Sequence, residues 1–434
     1  MEQVGVTPSS LSAARFPTSS HLFVSALWLA FYAQWQTVVP IVMPDQIAGI
    51  VGPDNPAKEG ISGSVIAAGA AIALVVAPLA GALSDRRRSP RGRRRSYLVT
   101  GTVGTCLALV ILAALGTTSS IWFYALAVLN LQFWWNWATG PYAGLIPDVV
   151  PPADQPVASG WLNIMAVIGT ILGNVLMVVL YSPGQPLPVV AAFVALSLVL
   201  LAATVFGVRE PPAIGDGQPF ELGPFLRSFY LDPKEHRNFY WVLVTRLFAN
   251  LGVWAVFTFL LFYVQSVIGM DREAAARLVP ALLGAGAVLA IPASLIGVRL
   301  ANRHGIVCLV RITSWLMAAA AIGYALIAFS PHIALVIPLV LVFSAAYGAY
   351  CAVDWALALR VLPAGKDAAK DMGIWHICMV LPQMIGPAAI GWLISGLRTV
   401  TSSSVAYAAA FALAALWFAL AAALVNRVRL APPS

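Results

Sequence analysis

Two charged residues stand inside otherwise apolar runs, Arg246 and Asp354. A charge in a hydrocarbon span costs about 2.5–3.5 kcal/mol on insertion scales, so each needs a reason to be there. Arg246 lies about seven residues into its run, and Asp354 stands six residues before Arg360. At 1.5 Å per residue both are roughly 9–10 Å deep. A carboxylate beside a guanidinium can be driven between charged and neutral forms by a change of surroundings. The pair is therefore a candidate for proton coupling; the alternative is a static bridge that orders the C-terminal half. His376 is a third candidate titrating group, or else a hydrogen-bonded packing residue. A different chemistry is written in "NLQFWWNWATGPY", residues 130–142, where amides alternate with indoles. Asn130, Trp134 and Trp137 fall at i, i+4 and i+7 and share one helical face. Indoles stack on the C–H face of a neutral polyhydroxylated ligand and amides orient its hydroxyls. Gln34, Asn250, Trp254, Tyr347 and Tyr350 are further binding candidates. The alternative is an aromatic belt with small-residue packing.

The elements that hold these residues are set by composition. The chain has 434 residues, 60% of them hydrophobic and 10% charged, with a mean hydropathy of +0.86. Soluble domains are closer to half apolar and about a quarter charged. Continuous apolar runs of about 20 residues are read as membrane-spanning helices, and their lack of alternation excludes a β-barrel. Twelve candidate spans can be counted: 21–43, 61–83, 97–115, 121–146, 159–181, 189–208, 239–264, 278–298, 312–330, 333–358, 373–394 and 404–425. No cleavable leader is expected, because the first run is long enough to span and only Arg15 precedes it. Cys106, Cys308, Cys351 and Cys378 lie within or beside apolar runs with no CxxC spacing, so disulfides and metal ligation are not expected. No cofactor motif is present either, and the absence of a Walker loop argues against ATP drive.

The longest polar interval, 209–238, is rich in Pro, Gly and charge and divides the spans six and six. The expected organisation is an N-terminal bundle over 1–208, a linker over 209–238 and a C-terminal bundle over 239–434. The halves echo each other: "LSDR" at 83–86 returns as "LANR" at 300–303. Asp154, Gly160 and Gly173 return in the same spacing as Asp367, Gly373 and Gly386. Such echoes favour a duplicated six-helix unit. Of the 25 Lys and Arg residues, twenty fall in the segments on the side of the termini and four (Lys58, Arg272, Arg277, Arg398) on the other. Both termini are expected in the cytoplasm. Seven of the twenty crowd into 86–95, within "GALSDRRRSPRGRRRS". A loop this short, pinned between two spans, is a poor nucleic-acid site.

That loop resembles the signature between the second and third helices of the major facilitator superfamily: Gly81, Leu83, Ser84, Asp85 and Arg86, followed by Gly92, Arg93, Arg94 and Arg95. The five-residue spacing between Arg86 and Gly92 is similar to that of the glycoside–pentoside–hexuronide and sucrose–proton symporters. Those families carry Pro where Ser96 stands, and the second-half loop has Asn302 in place of the acid. The resemblance implies an all-α membrane protein of twelve transmembrane helices in two six-helix bundles, with the first, fourth, seventh and tenth helices lining a central cavity. It also implies gating by Asp85, Arg86 and Arg93, with Asp85 facing the start of the eleventh helix near Gly373; the loop acids Asp154 and Asp367 read as helix caps and gate contacts. The loop arginines would pair with carboxylates or with anionic lipid.

The expectation is a monomeric, multi-pass carrier in the plasma (inner) membrane that moves a sugar or glycoside with protons, sodium remaining open as the ion. Proton-driven export of an amphipathic drug-like solute is the second reading. A polytopic membrane transferase is a third, and it would require acids or histidines clustered at one membrane face.

Overall fold

The computed structural model describes residues 16–118, 120–213, 223, 236–361 and 368–428. Within them run twelve long helices. The first six are α1 (Thr18–Val51), α2 (Lys58–Arg86), α3 (Arg95–Thr118), α4 (Ile121–Ala143), α5 (Gln155–Leu180) and α6 (Leu187–Gly207). The second six are α7 (Arg237–Ser266), α8 (Arg272–His304), α9 (Ile306–Ile327), α10 (Ile333–Val361), α11 (Ala368–Arg398) and α12 (Ser403–Leu424). Among the described residues, eleven are long and apolar enough to cross a membrane. The twelfth, α4, is 23 residues long, and its indoles, phenols and amides lower its hydropathy.

The helices form two bundles of six. In the first, α1 packs on α5 and α6, α4 on α2 and α3, and α3 on α6. In the second, α12 packs on α7 and α9, and α10 on α8 and α9. The bundles meet along two seams, α2 with α11 and α5 with α8. Exchanging the halves turns one seam into the other, as a duplicated unit requires. Small residues let these backbones approach, as is usual between helices in lipid. A methyl group on Gly63 would strike the Pro387 carbonyl, and one on Gly391 the Glu59 carbonyl.

Helix ends depart from the apolar runs in one instructive place. α1 continues to Val51 through a five-residue π-helical segment, Val38–Val42, that contains Pro40; such bulges re-aim a helix without ending it. α2 begins at Lys58, ahead of its apolar run. Asp45 and Glu59 are thereby helical and buried, at 1% and 0% exposure. In the sequence both have the look of loop acids. Arginines of the other bundle allow the extension, because they neutralise the carboxylates where the helices meet.

Candidate functional site

Polar groups fall in three tiers along the membrane normal. At the face opposite the Arg-rich loop, here the far face, charges cross between bundles. Arg272 at the start of α8 donates to Asp45 Oδ1 at 2.6 Å and to the Asp45 carbonyl at 2.9 Å. Tyr181 donates to Asp45 Oδ2 at 2.6 Å. Arg398 donates to both oxygens of Glu59 at 2.8 Å, and Tyr407 donates to Oε1 at 2.9 Å. Lys58 donates to Ser266 Oγ at 3.3 Å and Trp392 Nε1 to Ser64 Oγ at 2.9 Å. Among the described residues, the side-chain hydrogen bonds and ion pairs resolved between the bundles all lie here.

The middle tier is aromatic with one ion pair. Trp35 of α1 meets Trp135 of α4 at 5.3 Å between ring centroids, and Trp254 of α7 at 6.3 Å. Phe31 also packs on Trp135, at 5.4 Å. In the second bundle Phe257 meets Tyr347 edge-on at 5.8 Å. Arg246 and Asp354 form a direct ion pair, with side chains 7% and 6% exposed. Tyr350 donates to the free carboxylate oxygen at 3.2 Å, and Asn250 donates to the Arg246 carbonyl at 3.0 Å. Arg246, Asn250, Tyr350 and Asp354 thus form one connected group on α7 and α10.

Other sequence candidates lie elsewhere. Trp134 packs on Gly104 of α3, and Trp137 rests between Tyr97 at 5.2 Å and Phe133 at 5.6 Å. The face shared by Asn130, Trp134 and Trp137 is therefore turned to α3 and not to α7. Gln34 donates to Ser197 of α6 and is fully buried within the first bundle.

The third tier is the Arg-rich loop. Gly92 adopts φ +92, which turns the chain back on itself, and its Cα lies against Glu210. Arg93 and Arg94 are thereby aimed inward. Arg94, 5% exposed, pairs with Asp85 and with Asp148 at 2.8 Å. Arg93 pairs with Asp148 and stands 4.0 Å from Asp85. Glu210 accepts the Arg94 backbone N–H at 2.8 Å. Burial pushes Asp148 up, but hydrogen bonds and charge from Arg93 and Arg94 outweigh it and hold the carboxyl below its ordinary value. Burial pushes the Glu210 carboxyl up. Asp85, expected to face α11, holds the arginines of its own loop here. Asp154 accepts the Phe16 backbone N–H at 3.0 Å. Asp367 lies outside the described residues, as does the side chain of His376; Gly373 falls near the start of α11.

Sequence reasoning missed the far-face acids, Glu210 and Trp35; it read Asp148 only as a helix cap or gate contact, and it placed Trp135 among the indoles of 130–142 without giving it the inward face. Asp45 and Glu59 each adjoin an apolar run, as ordinary loop acids do, and their partners are 227 and 339 residues away.

Two seams related by the repeat, joining two six-helix bundles with polar groups gathered between them, define a membrane transporter built on a duplicated unit. The chain belongs to the Major Facilitator Superfamily, whose family model matches residues 24–369. It is a secondary transporter, not an enzyme. Three solved structures share the fold at 14% identity. A point mutant of the nucleoside transporter NupG aligns with a TM-score of 0.70 over 94% of this chain and 99% of that one. A bacterial homolog of the human lysosomal transporter Spinster, inward-facing and unoccupied, gives 0.60 over 96% and 98%. A bacterial homologue of the iron transporter ferroportin, outward-facing, gives 0.60 over 95% and 98%. No curated protein matches the chain.

Proposed function

We propose that the protein is a proton-coupled symporter that carries a small neutral polyhydroxylated solute, a sugar or glycoside, by alternating access. The observation that carries this reading is the buried Arg246–Asp354 pair beside an aromatic layer drawn from both bundles. The layer offers stacking surfaces without a net charge, which suits a neutral ring-bearing solute. Asp354 is the proton carrier, Arg246 its counter-charge, and Tyr350 and Asn250 fix their geometry. The five-residue spacing of the Arg-rich loop favours the sugar-symporter branch. In this reading the Arg-rich face and both termini are cytoplasmic, the membrane is the plasma membrane, and the monomer is the working unit. Asp85, Arg86, Arg93, Asp154, Asp367 and Gly373 then gate the cytoplasmic side. His376 is a second titrating group, and residues 209–238 link two bundles that rock against each other.

The test is uptake by proteoliposomes across a panel of sugars and glycosides, with and without an imposed pH gradient. Asp354→Asn is expected to abolish pH-driven uptake and to leave counterflow exchange intact. Unchanged pH-driven uptake would overturn the proton role. The indole layer of Trp35, Trp135 and Trp254 also fits an amphipathic drug-like solute moving outward. Drug-dependent proton release from the same vesicles, with no sugar uptake, would favour that second reading.

A further inference from the structure

The two ion pairs that cross between the bundles at the far face are built differently. Asp45 accepts from Arg272 of the opposite bundle but also from Tyr181 of its own. Glu59 accepts two hydrogen bonds from Arg398 and one from Tyr407. Those donors lie at the end of α11 and in α12, so the other bundle supplies all three. Separation of the bundles leaves Asp45 one hydroxyl and strips Glu59 of every one of these partners. Removing the carboxylate would leave Arg398 largely buried without its counter-charge in the closed state only, since water solvates it once the bundles part, and this shifts the equilibrium toward opening.

The backbone around Glu59 supports the same conclusion. Gly60 N–H donates to Ser395 Oγ at 2.9 Å. The Glu59 carbonyl lies where a side chain on Gly391 would begin, and the Pro387 carbonyl where one on Gly63 would. No comparable backbone contact joins α5 to α8 among the described glycines; Gly284 there faces only the Asn174 side chain, at 3.2 Å.

We propose that Glu59, with Arg398 and Tyr407, is the primary lock that holds the far face closed, and that Asp45 with Arg272 is a subordinate one. Glu59 sets the balance between the two faces without touching the solute. The proposal rests on alternating access but on no particular substrate or coupling ion.

The experiment measures spin-label distances on the full-length protein in nanodiscs, with the native cysteines replaced. Labels at Pro56 and Val400, one exposed far-face residue from each bundle, report the opening without substrate or a pH gradient. Glu59→Gln is expected to raise the long-distance population about tenfold, the effect of losing a charged hydrogen-bond cluster. Asp45→Asn is expected to raise it about threefold or less, since Arg272 is partly exposed and keeps its bond to the backbone carbonyl at position 45. The exchange of Glu59→Arg with Arg398→Glu should restore the short distance. Tyr407→Phe keeps both charges and should shift the population the same way by a smaller amount. A wild-type distribution in both Glu59→Gln and Tyr407→Phe, or a larger opening in Asp45→Asn, would overturn the proposal. Because distances are read without transport, a failed Asp354 test leaves this result standing.

Discussion

The two faces of the molecule use similar charges for different ends. In the two far-face pairs that cross between the bundles, the carboxylate comes from the first bundle and the arginine from the second. At the Arg-rich face Asp85, Asp148, Arg93 and Arg94 all belong to the first bundle. Under the proposed alternating access, a pair that crosses the bundle interface is broken and remade in every cycle. A pair within one bundle travels with it and contributes to folding. The chemistry is the same, and the topology of the partners decides whether a given pair is a gate or a staple; the gating proposed for Asp85 and Arg93 therefore needs a further partner on the second bundle.

The largest expected effect tests the staple. Arg94 is buried and holds Asp85, Asp148 and Ser84 together. Removing one partner of a buried pair leaves uncompensated charge, so Arg94→Ala should lower unfolding stability by about 3 kcal/mol. Arg91, three residues earlier, is exposed, and Arg91→Ala should change it by less than about 0.5 kcal/mol. Thermal unfolding in detergent separates the two. Equal losses would mean that the loop acts as a diffuse charge patch.

The next test concerns the seam. A methyl on Gly391 has no room against the Glu59 carbonyl, whereas one on Gly396 meets nothing within 4 Å. Gly391→Ala should force α2 and α11 apart and cut the initial transport rate about tenfold, equivalent to about 1.4 kcal/mol. Gly396→Ala, on the same helix, should leave the rate unchanged. Tolerance of Gly391→Ala would show that the far face need not close tightly.

A smaller effect comes from pH at the Arg-rich face, where two carboxylates respond with opposite sign. The folded state raises Glu210 above its ordinary 4.5. Its contribution to stability is therefore complete below that value and is lost as pH rises through the raised one. Asp148 is held below its ordinary 3.8. Its contribution is present above 3.8 and is lost as pH falls through the depressed value. Glu210→Gln should thus gain stability relative to wild type as pH climbs above about 4.5. Asp148→Asn should approach wild type only under stronger acid. Unfolding temperatures across a pH series provide the check, and a Glu210→Gln difference that stays flat would show that burial does not govern this carboxyl.

How much of the molecule is legible in its sequence depends on local contrast. Arg246 and Asp354 stand out because a charge inside an apolar run has no ordinary explanation. The twelve spans, the six-and-six division and the half-by-half echo rest on the same local signal. Asp45 and Glu59 carry no contrast, since acids at the edge of an apolar run are what a loop looks like. Their burial depends on arginines hundreds of residues away. Periodicity placed Asn130, Trp134 and Trp137 on one face of α4 but carried no information about which neighbour that face meets. The glycines of α3 settle it, because Gly104 leaves the space that Trp134 occupies. The neighbouring Trp135, one residue and about 100° away, is the one that reaches Trp35.

The smallest expected effect is the control for the whole contrast. Two ion pairs begin at adjacent residues of α8. Arg272 reaches across to Asp45, whose side chain is 1% exposed, while Glu273 pairs with Arg277 on its own helix with both side chains 59% exposed. The second pair has neither burial nor a bundle to cross. Exposed i,i+4 pairs are worth about 0.3–0.5 kcal/mol, so Glu273→Gln should shift unfolding stability by no more than that. It should leave both transport and the Pro56–Val400 distance unchanged. Charge at this end of α8 would then matter only where it is buried between bundles. If Glu273→Gln instead opened the far face as Asp45→Asn is expected to, the field of the whole helix end would be the lock, and the individual pairs would lose their separate roles.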